Sequence, residues 1–203
     1  MQLENIVPEY NSCNAFVRKV FMERIKIAVS YLKRTGVKNV LDAGCGNGIF
    51  AQSLKKTGDF QVVGVDINEG VEELNKKYSS IEFMKADILK LPGSFNERFD
   101  AVVCLDVLEH LEDIRGAVSS VKKTLKKGGY LVSSGPTESF WYKLGRFFIK
   151  GTFSQKEGPG AGRHFYRVNE IEEVIKGQFK LIEEKNVCFL FIPLFKVSLY
   201  KVV

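Results

Sequence analysis

The sequence lacks the features that mark membrane-spanning, secreted and disulfide-stabilised proteins. No apolar run approaches the roughly 18 residues that a spanning helix needs, and no basic-then-apolar pattern stands near the start. The four cysteines, at positions 13, 45, 104 and 188, form no C-x-x-C pair, which favours reduced thiols and a cytoplasmic location. Histidine is also scarce, since His110 and His164 are the only two, so few side chains can act as a base near neutral pH.

Length and charge set further limits on the class of protein. A chain of 203 residues is long enough for one α/β domain, and we predict no second one. The 30 basic and 24 acidic residues give a formal net charge of +6. This excess suits an anionic partner, but solvated lysines on helix surfaces explain it more simply, so nucleic acid is not the predicted partner.

The most informative segment spans residues 40–51, where a buried-strand pattern runs into a glycine turn that opens a helix. Glycines at Gly44, Gly46 and Gly48 permit positive φ and let a ligand approach the backbone. The ligand would lie at the helix N-terminus, where N–H groups and the dipole favour an anionic end. A dinucleotide fingerprint needs a small residue at position 49, and Ile49 stands there, which disfavours a pyrophosphate site.

Strand and helix patterns alternate along the chain, which predicts a parallel sheet covered on both faces. Strands are predicted over 40–43, 62–66, 81–86, 99–105, 130–134, 179–186 and 194–203. Helices are predicted over 12–35, 69–78, 113–126 and 169–176, with Asn169 as the N-cap of the last, and a further helix opens after the glycine turn with Ile49, Phe50 and Leu54 facing the sheet. The helix over 12–35 alternates apolar positions with basic ones, including Arg24, as an amphipathic helix does.

Three motifs together resemble class I S-adenosylmethionine-dependent methyltransferases that act on small molecules, the group that includes the ubiquinone and menaquinone biosynthesis enzymes. They are D-x-G-x-G-x-G after the first strand, F-D-x-V-x-x-x-x-V-L-E-H-L from Phe99, and L-K-x-G-G-x-L-V from Leu125. The resemblance covers residues 40–136. It implies a Rossmann-like, doubly wound α/β sheet of seven strands, mostly parallel, with the last strand antiparallel between the fifth and sixth.

The resemblance also implies S-adenosylmethionine as cofactor, with S-adenosylhomocysteine as product. In this family the acid that stands here as Asp66 accepts from the ribose hydroxyls, and the acid at Asp87 accepts from the adenine amino group. Ile67 and Ile88 would lie against the two faces of the adenine. The full set of cofactor-binding residues that we predict is Asp42, Gly44, Gly46, Gly48, Asp66, Ile67, Asp87, Ile88 and Leu105.

A hydroxyl acceptor would need a base, and we predict His164 and His110 as the catalytic residues. Two alternatives stay open: His164 could hydrogen-bond the neighbouring backbone, and His110 could position its loop. Asp106, Glu109 and His110 have the i, i+3, i+4 spacing of one helical face and could hold a divalent cation. We favour capping and buried salt links for these three residues, and so predict no metal.

Residues 137–167 combine many aromatic and basic side chains with a glycine-rich stretch at 158–162. We interpret them as a lid insertion that shapes the acceptor pocket, between a cofactor-binding core at 37–136 and C-terminal elements at 168–203; residues 1–36 form an N-terminal helical cap. A basic, aromatic lid could also contact an anionic membrane peripherally, although we slightly favour aromatics packed within the lid itself. The apolar residues 188–195 form the connection between the last two strands.

The sequence therefore predicts a methyltransferase for a small-molecule acceptor, such as an aromatic or lipid-linked hydroxyl. Two alternatives keep the fold: an RNA methyltransferase, and a regulator or scaffold that binds the cofactor without turnover. A Rossmann oxidoreductase ranks third because of Ile49 and the acid after the third strand.

Overall fold

The computed structural model describes residues 15–137, 164–189 and 192–203, and these form the predicted seven-stranded sheet. The strand order is β3-β2-β1-β4-β5-β7-β6. The strands are β1 Asn39–Ala43, β2 Gln61–Asp66, β3 Glu82–Lys85, β4 Phe99–Leu105, β5 Leu125–Pro136, β6 Phe179–Phe189 and β7 Ile192–Val202. The fold class predicted from the sequence is confirmed.

Strands β1 to β5 pair in parallel, and β7 is antiparallel to both of its neighbours, β5 and β6. The last strand therefore lies between the fifth and the sixth, as expected. Strand β1 pairs with β2 on one side and with β4 on the other. The strand order reverses at β1, and ligands of open α/β sheets bind in the crevice at the carboxyl ends of the strands at such a point.

Helices cover both faces of the sheet. They are α1 Ala15–Thr35, α2 Ile49–Lys55, α3 Leu74–Lys77, α4 Ile114–Thr124 and α5 Val168–Lys176. One core cluster joins α1 and α2 to one face, and a second joins α4 and α5 to the other. Central strands are buried on both faces, which explains why β4 is an almost continuous run of apolar residues.

Several predicted boundaries differ from the observed ones. Helix α4 ends at Thr124 rather than near 126, because Leu125 already pairs with Phe99 at the start of β5. Asn169 is not the N-cap of the last helix: α5 begins at Val168, and the N–H of Arg167 donates to Glu170 Oε2 at 2.6 Å. The predicted helix over 69–78 begins as a 3₁₀ helix, Glu69–Glu73, before α3.

The ends of the apolar segment 188–195 belong to the sheet rather than to a connection. Cys188 pairs with Pro193, and Phe189 pairs with Ile192, so the β6–β7 pairing continues into this segment. Pairing supplies backbone partners where a buried loop would have few.

The interpretation of 137–167 as a lid rests mainly on residues 138–163, which lie outside the described residues, as does Cys13. The hypotheses of an acceptor pocket and of membrane contact built on that segment stay predictions. Among the helices of the described ranges, none combines the length and the apolar character needed to cross a bilayer.

Candidate functional site

The glycine turn leaves β1 and enters α2 with three residues in the left-handed region. The φ angles are 82° at Gly44, 54° at Gly46 and 76° at Gly48. A Cβ on Gly44 would lie 2.3 Å from Cγ2 of Val107, so glycine is required there for space as well as for backbone conformation. The sequence predicted this turn from its spacing alone.

Most backbone N–H groups of this turn already donate hydrogen bonds within the protein. The N–H groups of Gly44 and Cys45 both donate to the carbonyl of Val65, at 2.8 and 2.9 Å, and that of Gly48 donates to Cys45. The turn therefore offers a fixed backbone shape more than the set of free N–H groups that a phosphate cradle needs. This is consistent with the rejection of a pyrophosphate site.

Asp66, at the end of β2, links that strand to the glycine turn. Its Oδ2 accepts from the N–H of Gly46 at 2.8 Å, and its Oδ1 accepts from the N–H and the Nδ2 of Asn68, at 3.0 and 2.6 Å. A carboxylate has about four acceptor positions, so one on Oδ2 is still available for a ligand hydroxyl. Asn68 was not among the residues predicted, although its place two residues after a strand-ending acid is typical of an Asx turn.

Asp42 is the second acid of the crevice, and it is only 2% exposed. Burial raises its pKa to about 8, and the neighbouring Asp66 carboxylate acts in the same direction, whereas the backbone N–H of Ala51 opposes them. Within the described part of the chain, Asp42 Oδ2 has no hydrogen-bond partner. A ligand donor, a cation above all, would satisfy this oxygen.

The raised pKa of Asp42 predicts how stability depends on pH. The pKa rises from 3.8 to about 8 on folding, so between these values the folded state keeps a proton that the unfolded state loses. The free energy of unfolding should therefore fall as pH rises through this window, by up to about 1.4 kcal/mol per pH unit. Urea unfolding of the wild type and of Asp42→Asn at pH 5.5, 6.5 and 7.5 measures how the free energy of unfolding of each protein changes with pH. Equal slopes for the two proteins would contradict the prediction.

The predicted adenine side of the crevice lies at the ends of β2 and β3. Ile67 is 65% exposed, which is unusual among the large apolar residues that the structure describes, whereas Ile88 is 7% exposed and packs into a core cluster. Asp87 accepts from the N–H of Leu89 at 2.9 Å and starts a 3₁₀ helix. Ile67 therefore presents far more surface to a ligand than Ile88 does. Leu105, at the end of β4, is half-buried.

The turn after β4 does not form the helical face that the spacing suggested. Asp106 has a φ of 55°, and the following 3₁₀ helix includes only Leu108–His110. The Asp106 carboxylate forms an ion pair with Arg24 of α1 and accepts from the Oγ of Ser134 at 2.9 Å. The salt link favoured for Asp106 is therefore present, and this carboxylate already has structural partners of its own.

The two histidines lie against each other. The ring centroids of His110 and His164 are 4.7 Å apart, and the rings meet edge to face at 73°. The buried side chain of Glu109 completes a cluster in which one ligand atom from each residue lies within 4.8 Å of the others. The sequence indicated each histidine separately but offered no signal that they meet.

Arg24 was placed among the basic positions of an amphipathic helix, but its side chain is 1% exposed. The guanidinium lies over the rings of Phe21 and Phe195, 4.1 and 4.3 Å from their centroids, besides its ion pair with Asp106. Arg24 thus connects α1 to the turn that borders the crevice. No local pattern could have distinguished it from the neighbouring solvated cations.

The strand order, the glycine turn and the acid at the end of β2 define a Rossmann-like fold whose ligand crevice lies at the carboxyl ends of β1 and β2. Residues 41–133 match the family model described as a methyltransferase domain. Over these residues, slightly less than half of the chain, it is similar to methyltransferase domains.

Two solved structures share the fold over nearly the whole chain. The PH0226 protein from Pyrococcus horikoshii superposes with a TM-score of 0.77 at 24% identity, covering 100% of this chain and 99% of that one. The N-methyltransferase NodS from Bradyrhizobium japonicum, solved in complex with S-adenosylhomocysteine, has a TM-score of 0.71 at 20% identity and covers 99% and 94%. At these identities the comparison establishes the fold and no more.

Curated relatives are similar over about half of this chain. The ubiquinone biosynthesis O-methyltransferase of Alkalilimnicola ehrlichii is 29% identical over 102 residues, which cover 48% of this chain and 41% of that protein. The matches to other enzymes of this name likewise cover less than half of those proteins.

Proposed function

We propose that this protein transfers the methyl group of S-adenosylmethionine to a hydroxyl of a small-molecule acceptor. The observation that carries the proposal is the combination of the glycine turn and Asp66, at the carboxyl edge of the sheet, with the paired imidazoles of His110, which follows β4, and His164, which precedes α5. The glycine turn and Asp66 have the features of a cofactor site, and the imidazoles form a second group. The second supplies a base, which a neutral hydroxyl acceptor requires.

The residues present fit the cofactor. Its ammonium group would give Asp42 Oδ2 the donor that it lacks among the described residues, and a ribose hydroxyl would use the remaining acceptor position of Asp66. Gly44, Gly46 and Gly48 would let the cofactor lie close to the backbone of the turn. Asp87 and the exposed Ile67 would hold the adenine, and we assign Ile88 and Leu105 to the same cofactor site.

When bound, S-adenosylmethionine supplies a methyl group already activated on a positively charged sulfur, so displacement needs no covalent intermediate on the protein. The protein's part is to hold the acceptor oxygen in line with that methyl group and to remove its proton. His164 or His110 would take the proton on a ring nitrogen as the oxygen–carbon bond forms. The buried Glu109 carboxylate would favour the resulting imidazolium.

The preference for an oxygen acceptor rests on two lines of support. Several curated relatives are named as O-methyltransferases of ubiquinone biosynthesis, and the matches cover less than half of those proteins. The imidazole pair is the other, because a hydroxyl must lose its proton during transfer whereas a neutral amine can lose it afterwards. An aromatic or lipid-linked hydroxyl is the acceptor class that we propose.

The test is transfer of a radiolabelled methyl group from S-adenosylmethionine to a panel of phenols, lipid-linked phenols, aliphatic alcohols, amines and RNA. We expect product from phenols, and a fall in kcat of about 10²- to 10⁴-fold for the variant that removes the base, His164→Gln or His110→Gln. The KM for S-adenosylmethionine should not change in either variant.

Each alternative function has its own result in this experiment. Methylation of RNA but of no small molecule would reject the acceptor class. Cofactor binding with no product across the whole panel would favour a regulator or scaffold. Unchanged kcat and an unchanged pH profile in both histidine variants would reject proton transfer by an imidazole.

A further inference from the structure

Glu109, His110 and His164 form a compact group with the composition of a transition-metal site. One potential ligand atom from each residue lies within 4.8 Å of the other two. Two imidazoles and one carboxylate are a common ligand set for Zn²⁺ and non-haem Fe²⁺, whereas Mg²⁺ and Ca²⁺ prefer oxygen ligands throughout. The chemistry of the side chains therefore selects a class of cation.

Backbone and side-chain contacts outside the group hold its two halves together. The N–H of Phe165, next to His164, donates to the carbonyl of Glu109 at 2.8 Å. The hydroxyl of Tyr166 donates to the carbonyl of Glu112 at 2.7 Å. The segment that carries His164 is thus fixed on the turn that carries the other two residues, so the three come together without a ligand.

The distances allow a cation with small side-chain adjustments. Tetrahedral Zn²⁺ with bonds of about 2.0–2.1 Å brings its ligand atoms on the order of 3.4 Å apart. The separations of at most 4.8 Å then need to shorten by about 1.4 Å or less, a change that rotation about side-chain torsions can supply. Glu109 is 2% exposed, so its carboxylate would interact with a cation under weak screening by solvent.

We propose that Glu109, His110 and His164 bind a divalent transition-metal cation. The site excludes Asp106, whose carboxylate is engaged by Arg24 and Ser134. Three protein ligands leave at least one coordination position, which is the arrangement of catalytic zinc sites rather than of closed structural ones. Resting on the proposed function, this assigns that position to an oxygen of the acceptor. The two imidazoles then act as ligands instead of as bases, and the proton of the hydroxyl would pass to water because the cation lowers the pKa of the hydroxyl.

Calorimetric titration of the full-length, untagged and chelator-treated protein with ZnCl₂, MnCl₂ and MgCl₂ tests the proposal. We expect one Zn²⁺ per chain with micromolar affinity or better, weaker Mn²⁺ and no Mg²⁺. His164→Ala, His110→Ala and Glu109→Gln should each weaken Zn²⁺ binding at least tenfold. Cobalt loading should give the visible absorption bands of a protein-bound ion in the wild type and not in His164→Ala.

Two matched controls distinguish this site from adventitious binding. Cys188→Ser removes an exposed thiol that could capture Zn²⁺, and Glu112→Gln removes a neighbouring charge outside the group. Both should bind Zn²⁺ as the wild type does. Circular dichroism and thermal unfolding without metal test whether each variant is folded. His164 is only half-buried, so we expect His164→Ala to fold and to remain informative even if Glu109→Gln does not fold.

Absence of stoichiometric Zn²⁺ binding, binding unaffected by His164→Ala, or binding lost in Cys188→Ser would each overturn the proposal. Titration of the same samples with S-adenosylmethionine separates this failure from that of the proposed function. Cofactor binding without Zn²⁺ binding rejects the metal site alone and leaves the imidazoles as bases. Zn²⁺ binding without cofactor binding rejects the proposed function and keeps the cation site.

Discussion

Replacing Asp66 with alanine is expected to weaken binding of S-adenosylmethionine by about a hundredfold or more. The substitution removes the acceptor of three hydrogen bonds, one from Gly46 and two from Asn68, and the acceptor proposed for the ribose. Hydrogen bonds to charged groups contribute about 1.5–3 kcal/mol each, and about 2.7 kcal/mol is a hundredfold change in Kd. Calorimetric titration with S-adenosylmethionine and with S-adenosylhomocysteine measures the loss.

Asp100→Ala is the matched control for this variant. Asp100 Oδ2 accepts from the backbone N–H groups of Lys38 and Asn39, at 2.9 and 2.8 Å, but it does so at the amino end of β1, opposite the crevice. We expect Asp100→Ala to lose stability and to keep its affinity for the cofactor. Equal affinity in Asp66→Ala and Asp100→Ala would reject Asp66 as a cofactor ligand.

Arg24→Ala is expected to lower the free energy of unfolding by about 2–4 kcal/mol. The variant removes a buried cation from between two phenylalanine rings and leaves the Asp106 carboxylate without its ion pair. Breaking a fully buried pair costs about 3–5 kcal/mol, and we reduce this figure because the Asp106 side chain is 22% exposed and also accepts from Ser134. Urea unfolding followed by circular dichroism provides the measurement.

The same helix offers the control for Arg24. Arg34 also forms an ion pair, with Glu183 at 2.6 Å, but its side chain is 53% exposed. Arg34→Ala should therefore cost less than about 1 kcal/mol. The double variant Arg24→Met with Asp106→Asn should recover part of the stability that Arg24→Ala loses, because neither charge is then left without a partner. A similar loss in Arg24→Ala and Arg34→Ala would contradict the role assigned to Arg24.

The candidate site was predictable where its residues follow directly from local patterns. Gly44 and Gly48 indicate a turn with positive φ between a strand and a helix. Asp66 ends a run of β-branched residues, which indicates the end of a strand. Parallel strands bring such ends to one edge of the sheet. Asp106 does not share a helical face with Glu109 and His110, because the i, i+3, i+4 rule assumes a regular helix, whereas this residue has a left-handed backbone before a single 3₁₀ turn.

The sequence by itself determined the order of strands and helices, the glycine turn and the acids at the ends of β2 and β3, because periodicity and turn chemistry depend on residues close together in the chain. Only the tertiary structure decided that Arg24 is buried between Phe21 and Phe195, and that His164 meets Glu109 and His110. These contacts join elements far apart in sequence, so they depend on how the helices pack on the sheet, which no local pattern records.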